Sequence, residues 1–528
     1  MRSVFHLSAL ALALATTPVL AKPLIFCSDG EPEGFDSAMF TAATTNDASS
    51  EAIYNRLVDF QKGSTKVVPG LAVKWEISDD GLTYIFHLRR GVKFHTTEWF
   101  TPSREFNADD VLFSFKRQLD KDHPGHTASK QGWPYANDMS FPDLIKSIEK
   151  IDPYKVKFVL SRPDAPFLAD LGMGFTSIVS AEYGEKLVKD GKPELINTQP
   201  VGTGPFVFKK YQKGEFVRYE ANPSYWGGKQ PIDKLVFAIT ADPAVRAQKI
   251  KAGECNFMTY PKPADVPGLQ ADSKLHVQTT EALVTSYLAF NTQKKPLADK
   301  RVRQALSMAI DKDAIIKTVY EGRAAKAHLP FPPSMWGYNK SIKPLAHDYA
   351  KAKDLLKQAG FPNGFETTIW VRVGGGGSNP NSKLTAELIQ ADWKKVGVEA
   401  KIVVMEWAEL LKRSKAGEHE VTINGWAGDN GDPDNFLTPN LSCKAAESGE
   451  NRARWCNKKF DELLERARLV TKVAERTKMY EEAQKIFAEE APWSALAHPM
   501  MTVVSQKNVT GFVPSPFTNN NFTGVNVK

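Results

Sequence analysis

The order of apolar and polar residues predicts strands and turns in the first half of the chain. Residues 82–88 are rich in β-formers, with Tyr84 and Phe86 at alternate positions, and they follow a turn that ends at Gly81. The segment 119–145 mixes polar, glycine and proline residues and is predicted to be irregular. Further strands are predicted at 156–160, 206–208 and 235–239.

From about residue 280 the pattern changes to alternating helices and strands. Asp311 and Asp348 stand where helix N-caps are expected, and Gly322 and Gly360 stand where the same two helices should end. The alternation predicts an α/β domain with a largely open sheet. The predicted elements are strands at 286–290, 367–373 and 398–405 and helices at 302–309 and 384–395. Residues from about 499 predict strand and loop, so we expect this tail to return to an earlier domain.

The first 21 residues have the pattern of an export signal. Arg2 precedes an apolar run over residues 7–15, and small residues follow up to Ala21, where cleavage is expected. The run is too short to span a bilayer. Lys22, rather than a cysteine, follows the expected cleavage site, so we expect a soluble protein without a lipid anchor, in the periplasm.

Charge and length then exclude several classes of protein. The chain of 528 residues carries a formal net charge of +7, with both signs interspersed and no basic stripe of the kind that binds nucleic acid. No later apolar run reaches the roughly 18 residues of a membrane span. The length suits two or three domains.

Cys27, Cys255, Cys443 and Cys456 fit an oxidising compartment and contain no CxxC pair, so a structural zinc site is not predicted. Sequence alone allows three pairings. Cys443 and Cys456 are near enough in the chain to close one short loop, and Cys27 and Cys255 would then close a very long one.

Motifs for catalysis, cofactors and metals are absent: there is no HExxH, GxSxG or phosphate-loop pattern, and the histidines are scattered. The four glycines at 374–377 favour a flexible loop over a phosphate cradle. We therefore predict no cofactor, no metal and no enzymatic activity.

The most unusual segment is 425–436, Gly-Trp-Ala-Gly-Asp-Asn-Gly-Asp-Pro-Asp-Asn-Phe. It follows a predicted strand at 420–424. Its three acidic residues suggest calcium, but the glycine that a calcium-binding loop requires is missing. Two interpretations stay open: an acidic turn broken by Pro433, or a site for a charged small molecule at a strand end.

Several blocks together resemble the bacterial extracellular solute-binding proteins of family 5. The blocks are residues 70–95, 107–115, 202–206 and 302–312. The dipeptide-binding members of the family are similar also at 31–35, 166–171 and 425–436. The resemblance covers nearly all of the chain after the export signal.

The resemblance implies a two-lobed α/β fold of the periplasmic binding protein type, with a hinge and an extra subdomain on the first lobe. We expect lobe I at 22–281 and 500–528, its extra subdomain at about 55–203, and lobe II at 282–499. It also implies the pairing Cys27–Cys255 and Cys443–Cys456. The partners it implies are a short peptide and an inner-membrane ABC permease, and a monomer is expected.

The resemblance places the ligand between the lobes. It implies that Asp429 binds the peptide's α-ammonium, as a buried charge must be paired, and that the peptide backbone runs along two segments as an added strand. Trp426 and Trp407 are interpreted as pocket walls or as core residues. The predicted binding residues are Thr41, Ala42, Thr44, Arg372, Trp407, Gly425, Trp426, Ala427 and Asp429.

One position departs from the family pattern. Dipeptide-binding members carry an arginine for the peptide's carboxylate just before an Asn-Pro-Asn, which 379–381 matches, but Gly376 stands at that place here. Either Arg372 reaches in, another cation substitutes, or the carboxylate is not bound in this way. The alternatives are a receptor for tripeptides, opine-like amines, haem or metal complexes on the same scaffold and, more remotely, a secreted hydrolase.

Overall fold

The computed structural model of the protein describes residues 23–130 and 132–528, so the predicted export signal lies outside the described residues. The strands are β1 (Leu24–Ser28), β2 (Val58–Phe60), β3 (Val67–Pro69), β4 (Ala72–Ile77), β5 (Thr83–Leu88), β6 (Ile145–Asp152), β7 (Lys155–Leu160), β8 (Phe206–Gln212), β9 (Phe216–Ala221), β10 (Lys234–Ile239), β11 (Phe257–Thr259), β12 (Leu275–Glu281), β13 (Val284–Phe290), β14 (Ala324–Lys326), β15 (Phe365–Arg372), β16 (Val398–Met405), β17 (Val421–Ala427), β18 (Trp493–Gln506), β19 (Val509–Thr510) and β20 (Asn526–Val527).

The α-helices are α1 (Ala43–Ala48), α2 (Ala108–Leu119), α3 (Pro134–Asp138), α4 (Phe141–Leu144), α5 (Phe167–Asp170), α6 (Ala181–Lys189), α7 (Pro243–Ala252), α8 (Val266–Ala271), α9 (Lys300–Met308), α10 (Lys312–Thr318), α11 (Tyr349–Gln358), α12 (Ser382–Lys394), α13 (Trp407–Lys415), α14 (Asp434–Leu441), α15 (Cys443–Ser448), α16 (Lys458–Leu469) and α17 (Val473–Glu490). Short 3-10 helices lie at Ser37–Met39, Pro124–Ala128, Gly174–Thr176, Pro193–Asn197 and Pro263–Asp265.

One long strand connects two halves of the main sheet. The first part of β18 pairs with β13 and β14, and its second part, from Met500, pairs with β11 and β12. The order across the sheet is β16-β15-β17-β13-β18-β11-β1-β10-β9-β8. The change of partner near residue 500 supports the predicted return of the C-terminal tail to the first lobe. The exact lobe boundaries stay a prediction.

The α/β half follows its sequence pattern closely. Asp311 accepts a hydrogen bond from the backbone N–H of Ala314, and Asp348 accepts one from Lys351, so both predicted N-caps are confirmed. Gly322 and Gly360 follow the ends of these helices at positive φ, the conformation that glycine adopts without strain. Strand β13 is buried along its whole length because both faces of the sheet are covered.

The region predicted as the extra subdomain holds a separate antiparallel sheet in the order β4-β5-β7-β6. Tyr84, Phe86 and Leu88 of β5 are buried, and the residues between them are more exposed, as the alternation predicts. The segment 119–145 is less irregular than expected: a 3-10 helix, α3 and α4 lie within it. These helices are too short to leave an apolar period in the sequence.

The four cysteines form two disulfides, Cys27–Cys255 and Cys443–Cys456, which is the pairing that the resemblance implies. Cys27 lies on β1, and β1 pairs with β11, which begins two residues after Cys255. Among the described residues, no helix is long and apolar enough to cross a membrane.

Candidate functional site

A cavity of about 910 Å³ lies between the end of β17 and the N-terminal half of the chain. Its walls come from parts of both halves and of the C-terminal tail, within residues 41–64, 135–140, 162–174, 425–469 and 513–521. The volume is at the upper end of the range for sites that bind small molecules. Within the described part of the chain, no group of acidic, histidine or cysteine side chains could hold a metal ion.

Asp429 lines this cavity two residues after β17 ends. One carboxylate oxygen accepts a hydrogen bond from the Tyr135 hydroxyl at 3.1 Å. The Asp429 backbone N–H donates to Asn435 Oδ1 at 3.0 Å, which fixes the direction of the loop. Burial raises the pKa of Asp429 to about 6, and no cation forms an ion pair with it among the described residues. The charge of Asp429 therefore has few partners within the protein, so a cationic group of a ligand can pair with it.

Gly425, Trp426 and Ala427 also line the cavity and form the last part of β17. On one edge they continue to pair with β13, in the register Ser286↔Gly425 to Val284↔Ala427. On the other edge the pairing with β15 ends at Thr422. In the described part of the chain, the end of β17 therefore has a strand edge without a neighbouring strand, which is the geometry that an extended peptide can join.

Side-chain packing holds this strand end in place. A Cβ atom at Gly425 would lie 2.1 Å from Ser378 Cβ, so glycine is required by the close approach of that residue. The Trp426 indole N–H donates to Asn435 Oδ1 at 3.3 Å, and its ring packs against the buried cluster of the α/β half. Trp426 thus lines the cavity and also packs against the core, and its role in binding a ligand stays a prediction.

The other predicted contacts are divided. Thr41 lines the cavity, whereas Ala42 occupies the N-cap position of α1 and Thr44 donates its hydroxyl to Glu31 O at 3.3 Å. Ala42 and Thr44 are not among the lining residues. Their role in binding stays a prediction.

Arg372 and Trp407 form a pair of their own outside the cavity lining. The Arg372 guanidinium lies 4.8 Å from the centre of the Trp407 ring, and its Nη1 lies 2.8 Å from the position of a Cβ at Gly376. Arg372 is thus directed along the glycine turn toward α13. Neither residue lines the cavity, and a role for either in binding stays a prediction.

A second polar cluster joins the extra subdomain to the α/β half. Arg468 Nε lies 2.9 Å from Asp164 and 3.9 Å from Asp434, and Asn430 Nδ2 donates to Asp170 at 2.5 Å. Burial raises the pKa of Asp164 to about 6 and raises those of Asp170 and Asp434. These contacts hold the two walls of the cavity together.

Sequence reasoning missed Tyr135, which supplies the opposite wall at Asp429. A tyrosine between prolines and glycines in an otherwise polar stretch was a weak signal, because its partner is 294 residues away. It also missed Asn435, although the residue stands within the segment 425–436. An asparagine six residues after Asp429 could have been interpreted as a loop-fixing side chain.

A cavity between two walls, lined by a strand end and a buried carboxylate, is typical of a ligand-binding protein. Known proteins with similar sequences and structures show which class it is. Residues 66–448 match the family model "Bacterial extracellular solute-binding proteins, family 5 Middle". The chain belongs to this family, and the predicted two-lobed fold is confirmed. The family and the relatives are binding proteins, not enzymes.

Three relatives show how much of the chain the similarity covers. Di/tripeptide-binding protein 4 of Pseudomonas aeruginosa is 54% identical over 98% of both chains. An ABC transporter-associated periplasmic binding protein from Helicobacter pylori, solved with the peptide STSA, is 40% identical with a TM-score of 0.88, over 96% of this chain and 98% of the other. A dipeptide-binding protein from a Pseudoalteromonas species, solved with Met-Leu, is 36% identical with a TM-score of 0.89, over 96% and 100%.

Proposed function

We propose that this protein is the periplasmic peptide-binding component of an ABC importer. Di- and tripeptides enter the cavity, bind through their free N-terminal amine and are delivered to an inner-membrane permease. The relatives named for di- and tripeptides, and the two structures with bound peptides, support the ligand class. The mature protein is then a monomer that begins at Lys22, after cleavage of the export signal at Ala21.

The observation that carries the proposal is the placement of Asp429 beside an unpaired strand edge. The N–H and C=O groups of residues 425–427 on the β15 side can bind a peptide main chain, whatever its side chains are. Asp429 stands just beyond this edge, where the first residue of such a peptide would present its α-ammonium. Affinity would come mainly from groups that all short peptides share.

The proposal is tested by calorimetric titration of protein stripped of ligand. Di- and tripeptides with free termini are expected to bind, and their N-acetylated forms are expected to bind at least tenfold more weakly. A charge-assisted hydrogen bond contributes about 1.5–3 kcal/mol, which corresponds to about 10- to 150-fold in affinity. Equal affinity for the acetylated forms would show that the amine is not bound by Asp429.

Two variants separate the site from general effects of charge. The Asp429→Asn variant should bind free peptides about 10- to 150-fold more weakly than the parent protein does. It should bind the acetylated peptides as tightly as the parent protein does. Glu465→Gln removes a carboxylate that is also on the cavity wall but has no ion pair among the described residues, and its affinity should stay within twofold of the parent protein. Mass spectrometry of the exported protein checks the cleavage site, and light scattering checks the monomer.

A further inference from the structure

A zwitterionic peptide brings a carboxylate as well as an amine, and the cavity contains five cations that could meet it. These are Arg56, Lys62, Arg162, Lys444 and Arg468. Because a carboxylate binds best to a cation that has no carboxylate partner already, the partners of each cation decide among them.

Two of the five cations have ion-pair partners on their own wall or across the cavity. Arg56 forms ion pairs with Glu51 at 3.2 Å and with Asp59 at 2.7 Å. Arg468 is held by Asp164 at 2.9 Å.

Lys62 and Arg162 are also compensated, though less directly. Lys62 donates to the carbonyl of Thr523 and lies in the field of Asp59. Arg162 has no ion pair among the described residues, but its positive charge favours the ionised form of Asp164.

Lys444 differs from these four. Its ammonium donates to the Ser140 hydroxyl at 3.2 Å, and in the described part of the chain it has no ion-pair partner. Its hydrogen bond crosses from the α/β half to the extra subdomain, as the Tyr135–Asp429 bond does. Lys444 is therefore the cavity cation with the most unused capacity for an anion.

The element that carries Lys444 is firmly anchored. Lys444 is the second residue of α15, and the disulfide Cys443–Cys456 ties the start of this helix to the following loop. The Ser442 hydroxyl caps α15, and the Cys443 backbone N–H donates to Asp461 at 3.0 Å. The flexible Lys444 side chain thus starts from a fixed backbone position.

Asp429 and Lys444 both make hydrogen bonds to one short segment on the opposite wall. Tyr135 touches Asp429 and Ser140 touches Lys444, with α3 covering most of the residues between them. Five residues of helix rise about 7–8 Å. An extended dipeptide spans roughly 7 Å. The contacts of Asp429 and Lys444 on this wall, Tyr135 and Ser140, are therefore spaced on the scale of a short peptide.

We propose that Lys444 is a specificity-determining residue that binds the C-terminal carboxylate of the peptide, in place of the cation missing at Gly376. The inference rests on the proposed function, because it assumes a peptide whose amine is at Asp429. Asp429 would bind the amine and Lys444 the carboxylate of the same peptide, and together they would favour short peptides.

The test compares a dipeptide, Ala-Phe, with its C-terminal amide, Ala-Phe-NH2, by calorimetry. The parent protein should bind the acid at least tenfold more tightly than the amide. Lys444→Gln should bind the amide as the parent does and the acid no better than the amide. Lys444→Arg should retain most of the preference. Lys444 is exposed, so these variants should fold normally, and their thermal unfolding checks this.

Arg162→Gln is the matched control, since it removes another cavity cation without an ion pair and should leave the preference unchanged. If Lys444→Gln keeps the preference for the acid, if Arg162→Gln abolishes it, or if the parent protein shows none, the assignment of Lys444 is overturned while peptide binding stands. If no peptide binds the parent protein, the proposed function itself fails and the role of Lys444 fails with it.

Discussion

Asp429 and Asp432 stand three residues apart in one acidic loop, yet their surroundings are opposite. Asp432 receives Arg476 on both oxygens, at 2.7 and 2.9 Å, and a hydrogen bond from the Tyr480 hydroxyl at 3.3 Å. Asp429 receives one hydroxyl, from Tyr135, and faces a cavity. A charge whose partners are complete within the fold stabilises the fold. A charge whose partners are incomplete is available to a ligand.

The same contrast divides the cavity into an anchored part and an open part. The cluster of Arg468, Asp164 and Asn430 joins the walls through protein groups alone. Asp429 and Lys444 also face the opposite wall, but each does so through one neutral hydroxyl. Neutral hydroxyls give weaker bonds than charged partners do, so a charged ligand can replace them at small cost.

The largest expected effect is on stability, when the ion pair between Asp432 and Arg476 is removed. Asp432→Ala leaves Arg476, which is 4% exposed, without its ion pair, so the free energy of unfolding should fall by about 3–5 kcal/mol. Urea unfolding followed by tryptophan fluorescence measures this change. Glu465→Gln, at an exposed position, should stay within about 0.5 kcal/mol of the parent protein. If Asp432→Ala is as stable as that control, the Asp432 pair does not hold the fold.

The next effect is the dependence of peptide affinity on pH. Burial raises the pKa of Asp429 to about 6. The charged form that binds an amine is therefore present above pH 6 and lost as the pH falls through it. Between pH 7 and pH 5 the affinity for a free dipeptide should fall about tenfold, because one pH unit below its pKa a carboxyl group is mostly protonated.

Asp429→Asn provides the reference curve for that measurement. Burial also raises the pKa of Asp164 to about 6, and Asp164 lies in the cluster that joins the walls. It titrates equally in both proteins, so the difference between their curves reports Asp429 alone. Parallel curves for the parent protein and Asp429→Asn would mean that the carboxylate does not hold the amine.

The parts of the fold that depend on local pattern could be predicted from the sequence. Strand β16 begins and ends at the predicted residues 398 and 405, and the caps at Asp311 and Asp348 form as expected. A strand's alternation and a cap's side chain act within a few residues, so a short stretch of sequence contains the whole cause. The pattern failed at α3, which is five residues long.

The site was predictable only in part, because its contacts are long-range. Asp429 and residues 425–427 were found through the family resemblance, and they line the cavity. Tyr135 could not be found, since nothing near it in the chain indicates Asp429. Arg372 is near Gly376 in the sequence, and its guanidinium lies beside Gly376 and the Trp407 ring, but it is not among the residues that line the cavity.

The smallest expected effect concerns the Tyr135 hydroxyl, which donates a hydrogen bond to Asp429. Tyr135→Phe keeps the ring, which packs against Phe175 at 5.6 Å between centres, and removes the hydroxyl that bonds to Asp429. The hydroxyl is neutral but its acceptor is a carboxylate, so the bond contributes about 1.5 kcal/mol, the lower end of the range for charged groups, and peptide affinity should change by no more than about tenfold. The Tyr135 hydrogen bond stabilises the charged form of Asp429, so its loss should raise the pKa of that carboxyl group. The pH midpoint of binding should therefore rise. A loss as large as that of Asp429→Asn would instead make Tyr135 an equal partner in binding, and the contrast between protein-held and ligand-held charges would then extend to both walls of the cavity.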